Sequence, residues 1–524
     1  MFDLRKRLDN GNVGWKFIMD KKRGLLNIGV SIIFKILLLL GSILVRRFLI
    51  QYIGNEANGL SSLYISIIGF LTVAELGVGE AIIFCMYKPI VEGDKDKVAA
   101  LYTLFKKLYS VVGGIIFFAG LIVMFFLPQL AKDYSTININ IYLTFFLTLV
   151  SVVLTYAYSA KISLLNAYKN NYIATTIVSC GTLLEDVLKI GAIVVTRSFS
   201  AYLLCGIIAV LVQWIVTNIV TNREYHDIMH KKAVVDVEDR KQIISNIKAM
   251  FMHKIGAVLV NTTDSAIISA FIGVVVLGKY TNYTTIMTSM TGLLGLFFYP
   301  LTSVIGHVFV SSSKEEMNRY FYFFYGFNYI LGTVFCLGYY AVIDNVITLC
   351  FGNNLELSRD VAFVITINYF IQFLRTSTLM FRSSTGTFYY DRWKPLIEGI
   401  VNLVLSIALV KVVGMTGVIV ATIITNLLIN DVVEPYVVFK HALERKPTRY
   451  YIMNYSYILL FAVSMLVIQR ISVVNDNIFI EFVLNGSIAV AVSIIPCLLM
   501  VITNGNFRSI LCTYMKRIRK EHIK

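Results

Sequence analysis

Long apolar runs separated by short polar segments make up most of the chain between residues 25 and 503. About fourteen runs are long enough to cross about 30 Å of hydrocarbon as α-helices. The runs are continuous, whereas strands of a membrane barrel alternate apolar and polar residues. The pattern therefore predicts an all-α polytopic membrane protein. The expected spans are 25–45, 60–85, 108–127, 139–160, 172–195, 199–220, 255–277, 283–310, 320–343, 361–382, 395–413, 416–438, 453–469 and 478–503.

One polar segment, residues 221–254, is much longer than the others and falls near the middle of the chain. It predicts a linker that divides the spans into six, six and two. We therefore expect two six-helix lobes and two additional C-terminal helices. The expected domains are an N-terminal segment 1–24, an N-lobe 25–220, a linker 221–254 with an amphipathic stretch at 237–252, a C-lobe 255–440, and a region 441–524 with spans thirteen and fourteen and a basic tail.

A short repeat supports two pseudo-symmetric lobes. The second span begins at Ile53-Gly54 with a further glycine at Gly59, and the eighth begins at Ile272-Gly273 with a further glycine at Gly278. Both segments have the pattern I-G-x-x-x-x-G, and one offset relates them. Repeated helical units of this kind are common in transporters.

Composition agrees with a membrane protein, since 57% of residues are hydrophobic and only 15% are charged, with a mean hydropathy of +0.73. Soluble domains carry about 25% charged residues. The net charge of +16 would suggest nucleic acid in a soluble protein. Of the 47 Lys and Arg, however, 36 fall on one side if the N-terminus is cytoplasmic, 8 on the other and 3 within spans. This asymmetry predicts cytoplasmic termini and no nucleic-acid binding.

Catalytic and metal-binding patterns are not found in the sequence. The seven cysteines form no C-x-x-C pair, so we expect neither disulfides nor a metal site. There is no P-loop, nucleophile elbow or large external loop. The expectation is a protein with no catalytic residues and no cofactor other than a coupling H⁺ or Na⁺, and not an enzyme.

Several segments together resemble the polysaccharide-transport (Wzx-like) branch of the MOP flippase superfamily. The resemblance extends over roughly residues 25–500 and includes the span count, although no single motif is diagnostic. It is carried by Tyr52-Ile53-Gly54, Leu60-Ser61-Ser62-Leu63-Tyr64, Glu75-Leu76-Gly77-Val78-Gly79-Glu80-Ala81, Tyr87-Lys88-Pro89, Asn261-Thr262-Thr263-Asp264, Phe271-Ile272-Gly273, Tyr280-Thr281-Asn282-Tyr283 and Gly414-Met415-Thr416-Gly417.

This resemblance implies a two-lobed fold that works by alternating access in a bacterial plasma membrane. The implied activity is export of undecaprenyl-diphosphate-linked oligosaccharide units for a surface polysaccharide. The implied partners are that lipid-linked glycan, the lipid bilayer, a polysaccharide polymerase and glycosyltransferases. An ion-coupled MATE-type exporter of small molecules and a lipid II flippase remain alternatives, and the sign of charge in the cavity separates the first of these from an anion transporter.

Cations inside the spans are the candidate contacts for a diphosphate, because a charge at bilayer depth costs at least about 2.5–3.5 kcal/mol and needs a partner or a hydrated cavity. Lys35 lies midway along span one, and Arg375 lies in span ten on a stripe with Asn368 and Gln372. We expect Lys35 and Arg375 to contact the diphosphate, one from each lobe. The wider set of expected substrate-binding residues is Lys35, Arg46, Arg47, Asn368, Gln372, Arg375 and Arg382.

Acidic residues inside the spans are the candidate sites for ion coupling. Asp264 and Glu75 are expected either to pair with Lys35 or Arg375 or to bind a proton or Na⁺. Glu185 and Lys189 have the spacing of a helical ion pair. A run of six aromatic residues at 320–325 is interpreted as a belt at the membrane interface. The expected coupling or cavity acids are Glu75, Glu80, Asp264 and Glu398.

Overall fold

The computed structural model describes residues 12–75, 78–231, 233, 235–236, 241, 243, 258 and 262–521. Within this part of the chain the regular secondary structure is helical and contains no strand. The expected all-α fold is therefore confirmed. The predicted amphipathic stretch at 237–252 lies almost entirely outside the described residues.

Among the described residues, the first half of the chain contains eight α-helices and two 3₁₀ turns, Thr72–Glu75 and Tyr134–Thr136, the first of which interrupts the second span. The helices are α1 (Asn12–Tyr52), α2 (Asn55–Leu71), α3 (Val78–Glu92), α4 (Lys95–Met124), α5 (Leu127–Leu130), α6 (Ile141–Ala167), α7 (Asn171–Thr196) and α8 (Phe199–Met229).

The second half begins with the helical residues 262–271, here called α9. Two π-helical segments, Asn426–Asn430 and Phe439–Leu443, flank the short helix α15. The other helices are α10 (Val274–Ser311), α11 (Lys314–Phe351), α12 (Arg359–Ser384), α13 (Lys394–Val413), α14 (Met415–Thr425), α15 (Asp431–Val438), α16 (Thr448–Ile471), α17 (Ile478–Thr503) and α18 (Gly505–Glu521).

Local sequence explains where several helices begin and end. Ser313 and Glu316 form a reciprocal capping box at the start of α11, which satisfies backbone N–H groups that have no partner within the helix. Asn140 accepts hydrogen bonds from the first turn of α6. Gly414, at φ +67°, makes the tight connection between α13 and α14 that a residue with a Cβ would adopt only with strain.

The helices overlap the fourteen predicted spans in chain order, although part of the seventh span falls outside the described residues. By length and composition alone, eight helical stretches in the described part of the chain are long and apolar enough to cross a membrane. They are Lys95–Met124, Ile141–Ala167, Phe199–Met229, Lys314–Phe351, Lys394–Val413, Met415–Leu443, Thr448–Ile471 and Ile478–Thr503.

The chain forms two compact units. The first contains Met1–Ile53, Leu71–Phe126 and Ile139–Phe251. The second contains Gly54–Phe70, Leu127–Asn138 and Met252–Lys524. Two segments of the expected N-lobe, 54–70 and 127–138, therefore pack in the second unit, and so do spans thirteen and fourteen.

The two copies of the repeat pack against each other inside the second unit. Gly54 and Gly273 have the same unusual backbone conformation, with φ of +122° and +137°. The Ser62 hydroxyl donates to Thr281 Oγ1 at 3.2 Å, and Asn55 Nδ2 donates to the carbonyl of Val275 at 2.7 Å. These contacts show that the two copies of the repeat lie side by side.

Close approach of α2 and α10 depends on the second glycine of each copy. A Cβ on Gly278 would lie 2.6 Å from the backbone oxygen of Asn55, and a Cβ on Gly59 would overlap the carbonyl oxygen of Val274. At this crossing Asn58 Nδ2 of α2 donates hydrogen bonds to two groups of α10, the Gly278 carbonyl at 3.0 Å and Asn282 Oδ1 at 3.1 Å.

The interpretation of residues 320–325 as an interfacial belt is wrong for half of the run. Phe321, Tyr322 and Tyr325 are buried in the second unit. The Phe321 ring centroid lies 5.0 Å from that of Phe439 and 5.8 Å from that of Tyr450. The helical period directs these three rings into the unit, so they form core.

We predict that Gly278→Ala lowers the thermal unfolding temperature of the purified protein, because the added methyl group forces α2 and α10 apart. Overpacking of this kind costs about 1–3 kcal/mol. Gly338→Ala is the matched control, since Gly338 is a helical glycine of the same unit and its Cβ would meet nothing within 4 Å. Equal unfolding temperatures for the two variants would contradict the close crossing.

Candidate functional site

Buried polar side chains from α12, α13, α15 and the π-helical segment before α15 meet within the second unit. Asn426, Asn430 and Glu434 follow one another at four-residue intervals, which places them on one face of the chain from the π-helical segment into α15. All three are buried. Because buried polar groups are costly without partners, we expect contacts for them on neighbouring helices.

Glu434 is the centre of this arrangement and its side chain has no solvent exposure. Arg375 donates two hydrogen bonds to it, from Nε to Oε2 at 2.6 Å and from Nη2 to Oε1 at 2.7 Å. Lys394 Nζ lies 2.6 Å from Oε1, and Arg382 Nη1 lies 3.8 Å from the same oxygen. One carboxylate thus holds three cations.

Two further acids complete the charge balance. Lys394 Nζ lies 3.0 Å from Glu398 Oε2, one turn along α13. Arg382 donates to Asp391 Oδ1 from Nη2 at 2.7 Å and from Nε at 3.1 Å. We call Arg375, Arg382, Asp391, Lys394, Glu398 and Glu434 the charge cluster, which has three cations and three carboxylates.

A chain of asparagine side chains connects the charge cluster to Asn368 on α12. Asn430 Nδ2 donates to Glu398 Oε1 at 2.7 Å, and its Oδ1 accepts from Lys394 Nζ. Asn430 also donates to Asn426, which donates in turn to Asn368 Oδ1 at 3.1 Å. Buried polar networks that are satisfied in this way hold side chains in one arrangement.

A separate polar group surrounds Asp264 on α9. Thr422 Oγ1 donates to Asp264 Oδ2 at 3.1 Å, and Asn402 Nδ2 donates to Thr422 Oγ1 at 2.9 Å. Two buried oxygen atoms of this group, Asp264 Oδ1 and Asn402 Oδ1, have no hydrogen-bond partner among the described residues. Unsatisfied buried carboxylate and amide oxygens are costly, and they are the ligands that hard cations prefer.

The first unit contains a smaller set of charged groups. Glu185 and Lys189 form the predicted ion pair, with Nζ to Oε1 at 2.6 Å. Glu75 Oε2 accepts from the Tyr156 hydroxyl at 2.7 Å. Lys35 and Arg46 are half-buried on α1 and Arg47 is exposed. The Glu80 side chain lies outside the described residues.

Several predicted site residues therefore come together, but with partners that differ from those expected. Asn368, Arg375, Arg382 and Glu398 all join the network of the second unit, whereas Gln372 is exposed. Arg375 pairs with Glu434 and not with Asp264. Lys35 belongs to the first unit and Arg375 to the second, so their joint contact with a diphosphate stays a prediction.

The sequence-based set omitted residues that the charge cluster requires. Lys394 lies four residues before Glu398, and Glu434 lies eight residues after Asn426. Both spacings are those of one helix face, the same signal that identified the stripe from Asn368 to Arg375. Asp391 carried no such signal, because it lies in the connection between α12 and α13.

Comparisons with known proteins show the fold. No protein-family model matches the sequence, and neither does any curated protein. The solved structure of a lipid II flippase, MurJ, in an inward closed conformation has 15% identity and a TM-score of 0.58, and the match covers 91% of this chain and 99% of MurJ.

Two other solved structures agree. An inward-facing multidrug resistance MATE family transporter of the MOP superfamily has 12% identity and a TM-score of 0.57, with 82% of this chain and 98% of that one covered. A MOP superfamily transporter from Pyrococcus furiosus Vc1 has 14% identity and a TM-score of 0.53, with 80% and 95% covered. The chain therefore has the fold of MOP superfamily transporters and is a multi-pass membrane protein.

We predict that Arg375→Met destabilises the protein by about 3–5 kcal/mol, because it leaves the buried Glu434 carboxylate with less compensation. Adding Glu434→Gln recovers part of that loss, so a double-mutant cycle by denaturant unfolding in detergent gives a large coupling energy. The exposed Lys88–Glu92 pair supplies the control cycle, for which we expect coupling near zero. Similar coupling in both cycles would contradict the central place of Glu434.

Proposed function

We propose that the protein is a flippase for undecaprenyl-diphosphate-linked oligosaccharide units, exporting them by alternating access across a bacterial plasma membrane. The product would serve synthesis of a surface polysaccharide such as a capsule, exopolysaccharide, O-antigen or teichoic acid. Glycosyltransferases that build the unit and a polymerase that consumes it would be the functional partners. In this proposal both termini are cytoplasmic, as the distribution of Lys and Arg predicts.

The observation that carries the proposal is the set of three cations around Glu434. Arg375, Arg382 and Lys394 gather around one buried carboxylate in a membrane-transporter fold, and burying charges is costly. Guanidinium groups match phosphate oxygens in geometry as well as in charge. An anionic head group is therefore the cargo that best explains why these cations are retained.

The group around Asp264 supports coupling to a cation. Its carboxylate, amide and hydroxyl oxygens fit a hard ion such as Na⁺, and the unpartnered Asp264 Oδ1 would equally accept a proton. Charge on this group would bias the second unit between two arrangements, because Thr422 and Asn402 link α9, α13 and α14. Glu75, Glu80 and Glu398 remain weaker candidates for the same role.

A second candidate function is export of lipid II, whose head group is also a diphosphate-linked saccharide. The structural similarity to a lipid II flippase favours this alternative. Export of cationic small molecules has less support, because three cations gather in the charge cluster around one carboxylate. The three candidates differ in the cargo that the purified protein moves.

We predict that proteoliposomes containing the protein move an undecaprenyl-diphosphate-linked oligosaccharide between leaflets. Lys35→Gln and Arg375→Gln should each slow this movement at least tenfold, measured on variants that size-exclusion chromatography shows to be folded. Arg470→Gln, at an exposed position near the end of α16, is the control and is expected to retain the wild-type rate. Movement of a cationic dye with no movement of the lipid would contradict the proposal.

We predict that Asp264→Asn removes the dependence of flipping on a Na⁺ or H⁺ gradient, because the amide cannot balance a bound cation. Flipping measured with and without each gradient provides the test. The exposed Asp476→Asn variant should retain gradient dependence. If Asp264→Asn keeps the full gradient effect, ion coupling does not depend on this group.

A further inference from the structure

The carboxylates of the charge cluster would compete with an anionic cargo for the same cations. Every cation of the charge cluster already contacts a carboxylate, and Glu434 contacts all three. A phosphate that reaches Arg375 and Arg382 must therefore share or replace the carboxylate. Because the cluster has three cations and three acids, adding an anion while every acid stays ionised would create an uncompensated buried negative charge.

The two guanidinium groups are the part of the cluster that an anion would meet first. The side chains of Arg375 and Arg382 are 17% and 13% exposed, whereas Glu434 has no exposure. Arg375 uses Nε and Nη2 on Glu434, so Nη1 is directed away from that pair of bonds. The cations thus lie between Glu434 and the accessible side.

The backbone that carries Glu434 has the features of a segment that can rearrange. Helix α15 is only eight residues long, and a π-helical segment flanks it on each side. Pro435 follows Glu434 directly and removes one backbone hydrogen-bond donor. π-Helical turns are frequent at functional sites.

We propose that Glu434 is an internal substitute for the phosphate of the cargo, and that it takes up one proton when a phosphate binds to Arg375, Arg382 and Lys394. This proposal rests on the proposed function. The phosphate oxygens accept the N–H groups that Glu434 gives up, and a proton from water binds to the Glu434 carboxylate, so the cluster gains no uncompensated charge from that acid. Release of the phosphate reverses both steps.

Protonation of Glu434 follows from its surroundings. With its cations engaged by phosphate, a buried carboxylate in a low-dielectric helix bundle is more stable in the neutral form. The other acids near it keep their own partners, since Asp431 accepts from Asn454 at 3.1 Å and Asp391 stays with Arg382. The titratable or charged groups that face Glu434 are Arg375, Arg382, Asp391, Lys394, Glu398, Asp431 and Tyr450.

The test is infrared difference spectroscopy on the wild-type full-length protein in nanodiscs, with inorganic pyrophosphate and a short-chain prenyl diphosphate as probes. We expect probe binding to produce the carbonyl band of a protonated carboxylic acid. The band should be absent in Glu434→Gln and present in Glu398→Gln, which keeps Glu434. A band with the prenyl diphosphate alone would support the proposal and indicate a lipid-linked source.

Calorimetry gives a second readout. Glu434→Gln should bind pyrophosphate at least tenfold more tightly than the wild type and take up about one proton fewer per anion, because the competing carboxylate is gone. The balanced variant Arg375→Gln/Glu434→Gln, which loses one charge of each sign, should show no gain in affinity. A gain in affinity in Glu434→Gln alone would therefore come from removal of the carboxylate, since unfolding would weaken pyrophosphate binding in both variants.

Two outcomes overturn the proposal. The first is wild-type protein that binds the anion with no acid band and no proton uptake, and the second is a band that persists in Glu434→Gln. Either result leaves the proposed function standing if the lipid-linked oligosaccharide is still flipped. Binding of neither probe together with transport of a cationic dye would instead contradict the proposed function itself.

Discussion

A carboxylate without solvent exposure, buried among membrane-spanning helices, is the constraint on which the second unit depends. Glu434 satisfies it by drawing Arg375, Arg382 and Lys394 into contact. These cations in turn position Asp391 and Glu398, and Asn430 links the group to Asn426. Desolvation makes such a cluster weak as a source of stability, so we relate it to the proposed function.

The fold could be predicted largely from the sequence, because about twenty consecutive apolar residues leave few structural options in a bilayer. The repeat was also visible in the sequence, since Gly54 and Gly273 recur with their spacing to the next glycine intact, and both residues have a positive φ. The membership of residues 54–70 in the second unit could not be predicted. It depends on the crossing of α2 and α10, and hydropathy contains no information on how two apolar helices cross.

The candidate site was predicted only in part. Arg375, Arg382, Asn368 and Glu398 were identified because a polar residue at bilayer depth stands out on one helix. Which residues pair depends on how helices are arranged in three dimensions, so Glu434 was missed as the partner of Arg375. Asp391 was missed because acids in short connections are usually solvated, whereas this one is buried against Arg382.

The central claim is that the cargo is an anionic lipid-linked saccharide. Its most direct test is mass spectrometry of the lipids of the producing bacterium after depletion of this protein. The account predicts accumulation of an undecaprenyl-diphosphate-linked repeat unit, with loss of the corresponding surface polysaccharide. An unchanged pool of lipid-linked intermediates, together with greater sensitivity to cationic compounds, would contradict the account.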